Sequence, residues 1–126
     1  MDALIEPKLR GMLISITGDR FTGGEFLIRL ALKAQYESVL FLDPLDIFDS
    51  AQIVAQYPNL SEEVERVVVG KPVKGSLLPL LKALKPSLIL SSSTNSRQLQ
   101  ELHVYARRTK ATVFFLGEGG DLEYEL

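Results

Sequence analysis

The sequence predicts an α/β domain, with helices on both faces of a mostly parallel sheet. Three observations predict it. Short apolar runs rich in β-branched and aromatic residues recur along the chain. Segments with helical spacing or helix caps separate them. The runs are apolar almost throughout, as strands buried on both faces are, whereas a sheet with one wet face would alternate.

The elements follow in order. Met1 to Arg10 is a mixed lead-in in which Pro7 breaks any helix, and Gly11 turns the chain into a first strand, Met12 to Thr17. A glycine-bearing loop (Gly18, Gly23, Gly24) follows, then a helix from Glu25 to about Tyr36. Ser38 to Leu42 (SVLFL) is a second strand closed by Asp43-Pro44, where Asp43 suits a turn and Asp46 an N-cap for a helix from Ile47 to about Tyr57. Pro58 and Asn59 end that helix, and Glu65 to Val69 is a third strand closed by Gly70. Ser76 to Leu84 reads as a short helix with Pro79 tolerated in its first turn. Ser87 to Leu90 starts a fourth strand, and Ser91, Ser92, Ser93 and Thr94 read as a solvated loop and helix cap. A helix from about Asn95 to Thr109 leads to a fifth strand, Thr112 to Leu116. After Gly117, Gly119 and Gly120, Asp121 to Leu126 alternates as an exposed edge strand does.

Composition narrows the function classes. At 126 residues one domain is expected over 1–126. A net charge of −2 gives no overall electrostatic footprint for nucleic acid or acidic membranes. The absence of cysteine removes thiol and zinc-thiolate chemistry, and His103 is the only histidine, so no metal site is expected. No apolar run approaches the ~18 residues of a membrane span. Asp2 and Glu6 depart from the basic start of a signal peptide, which sets a cytoplasmic location as the expectation.

The stretch from Met12 to Tyr36 has the spacing of a phosphate-binding loop: glycine, four residues, glycine, lysine, then serine or threonine. Gly18 and Gly23 hold the glycine positions, but Gly24 stands in the lysine's place and Glu25 in that of the metal-binding hydroxyl. A carboxylate there would lie beside polyphosphate. Two unit charges ~4 Å apart at an effective dielectric near 20 repel by roughly 4 kcal/mol, more than a helix dipole returns.

The order of elements and the local wording resemble the core ATPase domain of the RecA/KaiC-like superfamily, from about Pro7 to Gly117. Gly11 ahead of Met12-Leu13-Ile14, and Ile16-Thr17-Gly18 entering the loop, carry the resemblance. It implies a three-layer α/β/α domain, shortened in this chain, and a nucleotide at the carboxyl ends of the strands. It also places a water-activating glutamate after the second strand, where Asp43-Pro44-Leu45 stands. A metal-supporting aspartate is implied after Leu88-Ile89-Leu90, where Ser91 stands, and Glu118 falls near a phosphate-sensing position. The resemblance therefore leaves Gly18, Gly23, Gly24, Glu25, Asp43 and Ser91 as remnants of a nucleotide site. Phosphoryl transfer rests on the groups replaced here. No catalysis and no cofactor are expected, since His103 at the edge of a helix's apolar arc offers no serine a base.

Partner binding is the positive expectation. On the first helix Ile28, Leu32 and Tyr36 form a second apolar strip, opened either to a neighbouring helix or to a subunit interface. Tyr124 and Leu126 mark the last strand as an edge for pairing with a partner or a second copy. Arg97, Arg107, Arg108 and Lys110 cluster as candidate nucleic-acid contacts, although Glu101 among them favours a solvated face. The sequence thus points to a non-catalytic domain working through protein contacts, as a homo-oligomer or accessory subunit. An accessory nucleic-acid-binding or recombination-regulating role is the alternative, and a residual nucleotide binder the third.

Overall fold

In the computed structural model, which describes residues 7–33, 38–71 and 75–126, every strand pairing is parallel. The strands are β1 (Leu13–Thr17), β2 (Val39–Leu42), β3 (Val67–Gly70), β4 (Leu88–Ser91), β5 (Thr112–Leu116) and β6 (Leu122–Glu125). Among the described residues they form one sheet in the order β3-β2-β4-β5-β1-β6. The helices are α1 (Arg20–Lys33), α2 (Ser50–Gln56), α3 (Ser61–Arg66), α4 (Leu78–Leu84) and α5 (Ser96–Thr109).

Strand side chains alternate between two cores. Ile14, Ile16, Phe41, Leu90 and Phe114 face α1, α2 and α3, while Leu13, Leu40, Ile89, Val113 and Phe115 face α4 and α5. Right-handed crossovers account for the division. The steps from β1 to β2 and from β2 to β3 run one way along the sheet and put α1, α2 and α3 on one face. The steps from β3 to β4 and from β4 to β5 run the other way and put α4 and α5 opposite. Central strands buried on both faces read as near-continuous apolar runs, the pattern the sequence carries with Ser15, Ser91 and Thr112 as its small buried exceptions.

Several local expectations need correction. α1 begins at Arg20, not Glu25, so Gly23 and Gly24 lie inside a helix. Their lack of a side chain serves packing. A Cβ on Gly23 would come within 2.7 Å of a Leu116 methyl, and one on Gly24 within 3.1 Å of Ile47. The cap of α2 is Asp49, which accepts from the Gln52 amide, while Asp46 stands in the left-handed region and pairs with Lys71. Glu65 and Arg66 belong to α3, a helix of six residues, and not to β3. Ser91 and Ser92 are buried rather than solvated, and Asn95 caps α5 through a capping box with Gln98.

The last crossover is short. From β5 to β6 the chain passes over β1 in residues 117–121, on the α5 face. The Gly120 amide donates to Ser15 Oγ at 2.6 Å, and the Asp121 amide to the Leu13 carbonyl at 2.7 Å. A Cβ on Gly120 would lie 2.6 Å from Ser15 Oγ and 2.8 Å from backbone atoms of Leu13 and Ser15. Glycine and the small, buried Ser15 are what allow the backbone to lie against the sheet.

Candidate functional site at the carboxyl ends of the strands

In open α/β sheets the loops beyond the carboxyl ends of the strands form the ligand crevice, because the backbone there is free of the sheet. Here a cavity of about 380 Å³ opens at the ends of β1, β4 and β5. Its polar walls are Thr17, Asp19, Arg20, Ser93, Thr94 and Glu118, with two carboxylates against one guanidinium.

The start of α1 decides what this cavity offers. Asp19 precedes the helix and its carboxylate accepts from the Thr22 amide and the Thr22 hydroxyl, both at 3.1 Å, while its carbonyl accepts from Gly23 at 2.8 Å. This is an N-cap: an acid satisfies helix amides that have no partner within the helix. A phosphate-binding loop leaves such amides turned toward the ligand.

The structure brings only part of the expected remnant together. Gly18 and Gly23 line the cavity, and so does Glu118. Gly24 turns toward Ile47, and exposed Glu25 lines a separate groove between α1 and α2 with Arg29. Asp43 is fully buried, accepting from the Ile47 amide at 2.9 Å and the Phe48 amide at 2.8 Å, with Ser92 Oγ at 3.3 Å. It folds the chain after β2 and does not face the cavity. Ser91 is spent on the Ser93 carbonyl at 3.0 Å. The wall residues that sequence reasoning missed are Thr17, Asp19 and Arg20, while Ser92, Ser93 and Thr94, read from the sequence as a solvated loop and cap, also line the cavity. The spacing of Asp19 and Thr22 was the available signal, an acid three residues ahead of a helix amide.

The other candidates divide. Arg107 is not free for phosphate: it donates to the Gly11 carbonyl and to Asp121 Oδ1, the latter at 2.6 Å. Arg97, Arg108 and Lys110 are exposed. Asp121 also accepts from the Leu13 amide at 2.8 Å. Desolvation raises the Asp121 carboxyl, but the Leu13 amide, Arg107 and the nearby His103 outweigh it and hold it below its ordinary value. His103 is exposed on α5.

The second strip on α1 is covered from within the chain. Leu32 is 5% exposed and Ile28 half-buried in the core shared with Val64 of α3, so Leu32 packs inside the chain and, contrary to the expectation, offers no surface to a partner. Tyr36 lies outside the described residues. The last strand keeps its exposure. Leu122, Tyr124 and Leu126 are 44%, 39% and 40% exposed, and the Tyr124 ring stacks on Phe26 with centroids 5.6 Å apart. Leu126 donates to the Thr17 carbonyl and packs over Gly18, so the end of β6 touches the cavity's rim.

No protein-family model matches the sequence, and no curated protein matches it. Among solved structures, the crystal structure of the RadB recombinase superposes with a TM-score of 0.64 at 20% sequence identity, over 86% of this chain and 62% of that one. The likeness is one of fold. The chain has a RecA-like α/β fold and spans less than two thirds of the recombinase's length. Among the described residues no helix is long and apolar enough to cross a membrane.

Proposed function

We propose that this chain is a RecA-like domain without ATP turnover of its own, acting through protein contacts as a homo-oligomer or an accessory subunit. The observation that carries the reading is the Asp19 cap. A carboxylate occupies the Thr22 amide at the helix start where a phosphate would have to sit, and Glu118 adds a second negative charge to the cavity. Repulsion of roughly 4 kcal/mol per close charge pair opposes polyphosphate there. Gly24 in the lysine's place supplies no cation. The exposed outer strand β6 supports the contact half of the reading.

Titration calorimetry with ATP and magnesium tests the first half: no binding is expected at micromolar ligand. Micromolar affinity without turnover would favour the residual nucleotide binder instead. Light scattering tests the second half, with a species larger than the monomer expected in the homo-oligomeric version.

The likeness to a recombinase favours a second reading, an accessory nucleic-acid-binding or recombination-regulating protein. Exposed Arg97, Arg108 and Lys110 would supply its phosphate contacts. Anisotropy with single-stranded and duplex DNA tests it. Binding that falls with salt and with Arg108→Ala plus Lys110→Ala would replace the first reading with this one.

A further inference from the structure

The groove between α4 and α5 has a different character from the cavity at the strand ends. Both helices lie on the same face of the sheet and flank β4. Along α4, Leu78, Leu81, Lys82 and Lys85 recur at spacings of three and four and so share one face. Along α5, Tyr105, Arg108 and Thr109 do the same. The two faces enclose about 580 Å³, the largest of the open spaces described here.

The apolar surface of the groove is uncovered: Leu78 is 52% exposed and Tyr105 only half-buried. The Tyr105 hydroxyl is spoken for, donating to the Pro86 carbonyl at 2.8 Å, which fixes the ring against the groove wall. Lys82, Lys85 and Arg108 stand around this surface, and no carboxylate lines it. None of the three has an ion-pair partner among the described residues. Cations in the last turns of helices complement the helix dipoles, which accounts for their position along α4 and α5. It does not account for an exposed leucine and tyrosine between them. Glu101, the acid nearest on α5, is spent at the other end of the groove, accepting from Ser76 Oγ and the Leu77 amide.

We propose that this groove docks a short acidic segment of a partner protein, its large apolar side chains on Leu78 and Tyr105 and its carboxylates on Lys82, Lys85 and Arg108. The occupant follows from charge complementarity and from the apolar floor together. Nucleic acid would use the three cations and leave Leu78 in water. An uncharged peptide would use the floor and leave the cations idle. The inference rests on the reading that the chain works through partners, and it names the surface and the chemistry.

The test is fluorescence anisotropy of a labelled peptide of alternating glutamate and leucine, with a lysine-leucine peptide and oligo-dT as controls. The acidic peptide is expected to bind and the basic one not. Lys82→Glu with Lys85→Glu should weaken binding about tenfold or more, through charges that salt also screens. Leu78→Ser, at an exposed position, should weaken it about threefold with the melting temperature unchanged, since only apolar contact is lost. Oligo-dT binding that disappears in the lysine variant, with no binding of the acidic peptide, would overturn the proposal in favour of nucleic acid. Acidic-peptide binding indifferent to both variants would overturn it too. No peptide binding by a protein that is oligomeric in light scattering would sink the groove and spare the wider reading. No peptide binding by a strict monomer would count against both.

Discussion

Two aspartates hold this fold, and neither does so through a surface charge pair alone. Asp43 is buried and accepts from two backbone amides. Asp43→Ala would orphan both. An unsatisfied buried donor costs about 1–3 kcal/mol, so a loss of about 3 kcal/mol is expected in urea denaturation, with Asp43→Asn falling between because its amide oxygen still accepts. Asp121 is the second, joining the Leu13 amide to Arg107. Its folded pKa is depressed, so its share of stability is fully present above the unfolded carboxylate value near 4. That share is lost as the pH falls through the lower folded value. Wild type should exceed Asp121→Asn in urea midpoint at pH 7, by about 1 kcal/mol for a charge-assisted bond. The gap should begin to narrow below about pH 4 and close only below the lower folded value. A gap of the same size at pH 3 as at pH 7 would remove the carboxylate from the account.

At the scale of elements, what the sequence disclosed depended on what decided each element. Thr112 to Leu116 was readable to the residue, because an apolar β-branched run between helix and glycine has one good solution. The start of α5 near Asn95 was readable, although the cap was expected from the serines ahead of it and comes from Asn95 with Gln98. The start of α1 was not, since glycine is poor in helices and tertiary packing overrode that preference. The buried serines were equally opaque: hydroxyls that look solvated are satisfied by the neighbouring carbonyls and by Asp43. Nothing local told that the chain would cross β1 within residues 117–121, as parallel strands ordinarily need far longer connections. The two close-packed glycines therefore make a contrasting pair. Gly23→Ala meets only a movable Leu116 methyl and gains about 1 kcal/mol of helix propensity, so stability should change by less than about 1 kcal/mol. Gly120→Ala meets the β1 backbone and should cost about 2 kcal/mol through overpacking. Hydrogen exchange should then quicken at Asp121 and Leu126, the amides that tie the crossover and the end of β6 to β1.

At the scale of the whole molecule, both outermost strands carry exposed apolar side chains: Val68 and Val69 on β3, Leu122 and Tyr124 on β6. An open edge invites pairing with another chain, and charged residues on the edge restrain it. β6 carries that restraint in Glu123 and Glu125, which alternate with its apolar residues. If two copies joined through β6 about a two-fold axis, acids of one strand would come near acids of the other. Like charges across a strand pair cost about 0.2–1 kcal/mol each. Glu123→Gln with Glu125→Gln should therefore tighten self-association about tenfold, since each 1.4 kcal/mol is a factor of ten. Raising the salt should tighten the wild type in the same direction by screening. Leu122→Lys should loosen it in sedimentation without lowering the melting temperature, because its side chain is largely in solvent. The sign of the salt effect is the discriminating observation. An assembly built on opposite charges would loosen as salt rises, whereas one built on this acidic edge must tighten. An oligomer that ignores all three changes would have its interface elsewhere on the molecule.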